Sequence, residues 1–183
     1  IDMYNFNIVY GNIFDYIGKA DCICVTTNGT IKSNGELVMG AGVAKQFYDK
    51  YNTSHGIARK LATLLFGRDA NLKKLHVIRP EYNLCYRAIK AEDNNGTNVV
   101  SFPTKNHFQD KGDLELIKRS ARRMVEFADQ YDLNHIVIPS PGTGCGQLNE
   151  SDVYAELNKI LDKRFTIIKF KKEDKNDKSV RGW

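Results

Sequence analysis

The sequence predicts an α/β fold, with helices on both faces of a central mixed β-sheet, in three layers. Three observations lead there. Short apolar runs of strand length, such as Cys22 to Val25 and Ile136 to Ile138, alternate with segments whose apolar residues recur at helical spacing. Two of these strands end in Gly-rich loops. The first loop begins Val25-Thr26-Thr27-Asn28-Gly29 and reaches a helix through Met39-Gly40-Ala41-Gly42-Val43-Ala44; the second is Pro141-Gly142-Thr143-Gly144-Cys145-Gly146.

In chain order, Asn7 to Tyr10 reads as a strand and Asn12 to Ile17 as a short helical turn. Cys22 to Val25 is a buried strand. Val43 and Phe47 open a helix. Ile57, Leu61, Leu64 and Leu65 mark a second helix by their i, i+4, i+7, i+8 spacing. Leu75 to Ile78 and Leu84 to Ile89 read as strands on either side of the Pro80 break. Asn98 to Phe102 is a strand closed by Pro103. Asp113 is an N-cap for a helix with Leu114, Ile117, Ala121, Met124, Val125 and Ala128 on one face. His135 to Ile138 is a strand. Asn149 or Ser151 caps a last helix carrying Val153, Leu157, Ile160 and Leu161, and Phe165 to Phe170 closes the sheet.

At 183 residues the chain suits one domain over 1–183, with a charged tail from about residue 171. No apolar stretch is long enough to span a membrane, and no signal-peptide pattern opens the chain. Cys22, Cys24, Cys85 and Cys145 lack the spacing of a zinc finger or a disulfide framework. They read as reduced thiols in a cytoplasmic compartment. Four histidines, spread as His55, His76, His107 and His135, give no metal site. Neither a metal nor a cofactor is expected. A net charge of +5, much of it in segments such as Lys169 to Lys178, permits weak nucleic-acid binding without requiring it.

In open α/β sheets ligands sit beyond the carboxyl ends of the central strands, where both glycine loops fall. Glycines let backbone approach a ligand closely, and a helix start offers unpaired N–H groups to an anion. Two such loops suggest a clamp on a diphosphate. No G-x-x-x-x-G-K-[ST] occurs, so a P-loop nucleotidase is unsupported. Gly40-Ala41-Gly42 lacks the third glycine of the dinucleotide fingerprint and sits a dozen residues beyond its strand, which argues against a nicotinamide dehydrogenase.

Gly11-Asn12-Ile13-Phe14, the strand into Thr27-Asn28, Val38 to Ala44 and Pro141 to Gly146 resemble a macrodomain in order and spacing, over roughly Tyr4 to Phe170. The resemblance implies a module that binds ADP-ribose, free or attached to a target. Ser101-Phe102-Pro103-Thr104-Lys105-Asn106-His107-Phe108 further resembles the segment that carries the catalytic lysine in antitoxin macrodomains that remove ADP-ribose from DNA. These belong to the terminal ADP-ribose glycohydrolase branch. The resemblance therefore implies that Lys105 attacks the distal anomeric centre and that Asn28 shares the catalytic end of the site. Such a lysine acts as the free amine.

On the same basis the ligand would meet Asn12 and Ile13 at adenine. Asn28 with Gly40, Ala41, Gly42 and Val43 would face the distal ribose, and Thr27 would be a further ADP-ribose contact. The two glycine loops, the second of them Pro141, Gly142, Thr143, Gly144, Cys145 and Gly146, would hold the pyrophosphate. Position 12 is Asn where many macrodomains carry Asp, and its amide oxygen can still accept from the adenine amine. Gln147-Leu148-Asn149-Glu150 supplies no aspartate in register, which argues against release from acidic side chains by a lysine–aspartate pair. The expected substrate is ADP-ribosylated nucleic acid first and protein second, and the chain is expected to act as a monomer. A non-catalytic ADP-ribose reader, and a phosphatase or hydrolase of a small derivative such as the 1″-phosphate, are the alternatives. Among Phe108, Tyr154 and Phe47, one is expected to stack on the ligand.

Overall fold

The computed structural model describes residues 3–67, 72–91 and 96–170. The expected charged tail and the opening Ile1-Asp2 lie outside the described residues. Six strands form the main sheet: β1 (Asn7–Tyr10), β2 (Cys22–Thr27), β5 (Arg87–Lys90), β6 (Asn98–Pro103), β7 (Ile136–Pro139) and β8 (Phe165–Lys169), in the order β1-β8-β7-β2-β6-β5. Every pairing is parallel except β5 with β6. The loops that follow β1, β2, β6 and β7 therefore leave the sheet at one edge.

Side chains along each inner strand alternate between two buried faces. Ile23 and Val25 of β2, Val99 of β6 and Val137 of β7 join one core with Val43, Phe47, Ile57 and Leu61. These last four belong to α1 (Gly42–His55) and α2 (Ile57–Phe66). Cys22 and Cys24, Phe102, and Ile136 and Ile138 join the other core with Ile117, Met124, Val153 and Leu157. Here the helices are α3 (Leu114–Tyr131) and α4 (Glu150–Asn158). The result is the expected three-layer α/β/α arrangement.

The caps explain the helix limits. The side chain of Asp113 accepts from Leu116 N–H at 3.2 Å and starts α3. Asn149, not Ser151, caps α4 by accepting from Asp152 N–H at 3.1 Å. That helix stops at Asn158, so Ile160 and Leu161 lie past its end, and Leu161 is buried by the turn that follows. Gly56 adopts φ +61°, closing α1 and opening α2 without a linker.

Two expected strands are placed differently. Leu75 to Ile78 shrinks to β4 (His76–Val77), which leaves the main sheet and pairs antiparallel with β3 (Thr30–Ile31). Leu75 and Val77 are 43% and 37% exposed, and of the apolar run only Ile78 is buried in the core. Leu84 to Ile89 becomes a strand only from Arg87. Upstream, the Ser101 hydroxyl accepts from Tyr86 N–H at 2.9 Å, taking the place of a ladder carbonyl, and the register shifts between Arg87 and Ile89. No described helix is long and apolar enough to cross a membrane.

Candidate functional site

A cleft of about 320 Å3 opens at the sheet edge beyond β2, β6 and β7. Its size is that of a small-molecule site, roughly 300–1,000 Å3. Thr27, Asn28, Gly40, Ala41, Lys105, Gly142, Cys145 and Gly146 line it, so residues from three separate loops meet there. Thr26, Val38, Met39, Ala44, Thr104 and Phe108 complete the wall.

The first glycine loop arrives at α1 without a side-chain cap: Ala41 is extended (φ −147°, ψ 160°) and makes no capping bond. The N–H groups of Gly42, Val43 and Ala44 thus have no intrahelical acceptor, and no acidic residue occupies the first turn. Gly42 and Val43 are buried behind the cleft wall, while Gly40 and Ala41 are exposed at its mouth. A Cβ at Gly40 would meet nothing within 4 Å.

The second glycine loop is fixed from below. Ser140 Oγ lies 2.8 Å from both Thr143 Oγ1 and the Tyr154 hydroxyl, and Leu148 N–H donates to Gly142 O at 2.8 Å. Burial raises the Tyr154 phenol above its ordinary range, so it remains a neutral hydrogen-bonding group. Gly142 has φ +73°. The N–H groups of Thr143, Gly144 and Gly146 make no hydrogen bond to any described protein group. Together with the open end of α1, they form a second set of unpaired donors at the same edge. The segment 141–146 is a succession of turns, and α4 begins only at Glu150, so Cys145 is exposed in the cleft and apart from any helix start.

Lys105 enters from the loop after β6 and is partly buried. Among the described residues its ammonium group has no hydrogen-bond or ion-pair partner. Asn28 stands differently. Its Nδ2 donates to Val38 O at 2.9 Å and its Oδ1 accepts from Thr30 N–H at 2.9 Å, so the side chain braces the loop it was expected to serve. Of the candidate aromatic platforms, only Phe108 lines the cleft; Phe47 and Tyr154 are buried in the two cores.

Asn12 and Ile13 are not in this cleft. They follow β1, on the same sheet edge, two strand spacings beyond β7, a distance of about 10 Å. Asn12 is exposed, and its Oδ1 accepts from Phe14 N–H at 2.9 Å, which leaves one lone pair open. Ile13 is fully buried. Pro141, Thr143 and Gly144 sit within the second loop without lining the cleft. Among the described residues, no three His, Cys, Asp or Glu side chains are grouped to hold a metal ion. Cys22, Cys24 and Cys85 are buried free thiols; burial pushes Cys85 up to about 12, so it stays protonated and inert. A larger groove of about 630 Å3 runs along β1, and none of the expected site residues lines it.

No protein-family model matches the sequence, and no curated protein matches it either. The fold is nevertheless well represented among solved structures. The macrodomain of Mycobacterium tuberculosis DarG superposes with a TM-score of 0.64 at 18% identity, covering 89% of this chain and 96% of that one. The fold is that of a macrodomain. The macrodomain of Thermus aquaticus DarG gives a TM-score of 0.60 at 20% identity, covering 89% of this chain and 96% of that one. Thermosipho africanus DarTG, solved in complex with ADP-ribose, gives 0.64 at 22% identity. The match covers 92% of this chain but 42% of that longer one. The strongest signals in the sequence, the two glycine loops, both line the cleft beyond β2, β6 and β7. Val38, Met39 and Ala44 were legible only as neighbours of those loops.

Proposed function

We infer that this macrodomain binds ADP-ribose and hydrolyses its bond to a target. The observation that carries the reading is Lys105: an unpaired ammonium group placed in the cleft whose other walls are the two glycine loops. The unpaired N–H groups of those loops suit the two phosphates of a pyrophosphate. The direction from the loops toward Asn12 would take the adenosine end along the sheet edge. The distal ribose would then face Asn28, Gly40 and Lys105.

In this reading the Lys105 amine attacks the distal anomeric carbon, in the closed ring or in an opened form that keeps C1 bonded to the target; the nitrogen–C1 bond forms as the bond from C1 to the target breaks and the leaving group gains a proton. Water then cleaves the lysine adduct, giving free ADP-ribose and restoring the amine. Phe108 supplies an apolar wall against which a ribose or base can rest. ADP-ribosylated nucleic acid is the substrate favoured by the resemblance around Lys105; modified protein comes second. Affinity for unmodified nucleic acid is expected to be weak and to fall steeply with salt.

Release of ADP-ribose from a modified oligonucleotide, a modified protein and the 1″-phosphate tests the reading directly. Turnover of the oligonucleotide supports it as stated. Tight binding of ADP-ribose without turnover of any of the three would make the protein a reader. Phosphate release alone would make it a phosphatase.

A further inference from the structure

We propose that Asn83 is a positioning residue that sets where Lys105 stands, an assignment that rests on the catalytic reading of Lys105. Asn83 follows the 3-10 turn Pro80–Tyr82 and is 1% exposed. Its Nδ2 donates to Lys105 O and to Asn106 Oδ1, each at 3.1 Å. The sense of these bonds is fixed by the neighbours. Lys105 offers a carbonyl, and Asn106 already spends its own Nδ2 on Ile78 O at 2.9 Å. Among the described residues, no other group hydrogen-bonds Lys105, through main chain or side chain.

The clamp is anchored on a rigid element. Arg119 of α3 donates through Nη2 to Pro80 O at 2.7 Å and to Asn83 O at 3.5 Å, and Asn83 N–H donates to Pro80 O at 3.1 Å. The other side of the clamp is the first glycine loop. Gly29 N–H donates to Asn106 O at 2.7 Å, and Ile78 N–H to Gly29 O at 3.0 Å. A Cβ on Gly29 would stand 2.6 Å from Asn106 Oδ1 and 3.1 Å from Asn83 Nδ2. Gly29 is therefore needed for this contact and not for ligand approach.

A second observation separates a placed donor from ordinary packing. Asn83 Oδ1 is buried and accepts no hydrogen bond from the described protein. A buried amide with its oxygen unpaired is an unfavourable choice for filling space. What the side chain supplies is its NH2 end, and both hydrogens of that end are used on the segment that carries Lys105. Precise placement matters for a group that must meet one carbon atom, because small displacements from the reactive geometry lower the rate steeply. The N–H groups proposed to meet the phosphates, at the start of α1 and in the second glycine loop, make no hydrogen bond to Asn83.

The test compares the parent, Asn83→Ala, Lys105→Ala and the double variant on one modified substrate, with ADP-ribose affinity measured for each. Asn83→Ala is expected to lower kcat at least tenfold, with ADP-ribose affinity within threefold of the parent. In the Lys105→Ala background it is expected to change residual turnover by less than twofold, since the residue acts only through that lysine. A loss of ADP-ribose affinity equal to the loss of kcat, or a full further loss in the Lys105→Ala background, would reduce Asn83 to a general structural residue. Parental turnover by Lys105→Ala would instead overturn the catalytic reading. The clamp is then read independently from NMR order parameters. Those of the Lys105 and Asn106 amides should fall in Asn83→Ala while those of Gly144 and Gly146 hold; unchanged values would overturn the positioning role. If the alanine variant does not fold, the near-isosteric Asn83→Asp, which cannot donate when ionised, replaces it with the same expectations.

Discussion

Gly142 and Gly146 lie backbone against backbone: a Cβ on Gly146 would stand 2.7 Å from Gly142 O and 2.8 Å from Gly142 Cα. The second loop turns back on itself at that contact, and the turn leaves the N–H groups of Thr143, Gly144 and Gly146 without a described hydrogen-bond partner. Gly40 is the opposite case, with open space where its side chain would be. The two glycines should therefore respond differently to the same methyl group. Gly146→Ala should destabilise the fold by about 1–3 kcal/mol, the usual cost of overpacking, and weaken ADP-ribose binding with it. Gly40→Ala should leave stability within about 0.5 kcal/mol and reduce affinity alone. Thermal unfolding and calorimetric titration of the two variants check this. Equal stability losses would mean that the open space at Gly40 has been misread.

Ligand binding itself should be visible as stabilisation. ADP-ribose at ~100 times its dissociation constant should add ~2.7 kcal/mol, a rise in Tm of roughly 5–11 °C for a chain of this size. AMP should do much less, because it lacks the second phosphate and the distal ribose that the proposed reading sets against the loops and Lys105. No rise with millimolar ADP-ribose would sink the binding reading.

Away from the site, Asp162 offers a test of pH dependence. Hydrogen bonds from the Arg164 guanidinium hold its carboxyl below the ordinary carboxylate range, with a further bond from the Arg164 main chain. A carboxyl whose pKa is lower folded than unfolded adds stability above the unfolded value of about 4. That contribution disappears as pH falls through the folded value. Asp162→Asn should therefore be less stable than the parent at pH 7, with the gap closing below about pH 4. Solvent reaches about half of the Asp162 side chain, so the gap should be small and should shrink in high salt. Chemical denaturation at pH 7 and at low pH reads both quantities, and a gap that widened on acidification would reverse the assigned sign.

Much of this architecture is legible in the sequence because the buried strands carry unbroken apolar runs and the helices begin at recognisable caps. Asp113 and Asn149 are side-chain signals that act within three residues, and such local chemistry survives translation into structure. The failures share a cause. β3 and β4 are two residues each, and their pairing joins positions more than forty residues apart. Tyr86 reads as strand by residue type, but its N–H goes to Ser101 Oγ, a side chain 15 positions away, and the strand starts only at Arg87. In the site, glycine spacing announced both loops, and the segment around Lys105 announced the lysine. Asn83 left no trace: an asparagine after Pro80-Glu81-Tyr82 reads as a turn residue, and its contact with Lys105 exists only once β5, β6 and α3 are assembled.

The sharpest prediction concerns Lys105. Lys105→Ala should reduce hydrolysis of an ADP-ribosylated substrate to a small residual turnover while leaving ADP-ribose affinity within a few-fold of the parent. An amine that bonds to the anomeric carbon contributes chiefly to the transition state, so its loss belongs in kcat and not in ground-state binding. Lys105→Arg should fail as well, since a guanidinium stays protonated and cannot act as a nucleophilic amine. If the opened-ring path operates, borohydride added during turnover should reduce the imine and leave ADP-ribose fixed on Lys105, identifiable by peptide mass. Loss of turnover without a trapped adduct would leave Lys105 as a base for an attacking water. Parental rates for Lys105→Ala on modified DNA and modified protein alike would remove the lysine from the chemistry altogether. Catalysis would then fall to a water held at the Asn28 loop, whose side chain is already committed to Val38 and Thr30.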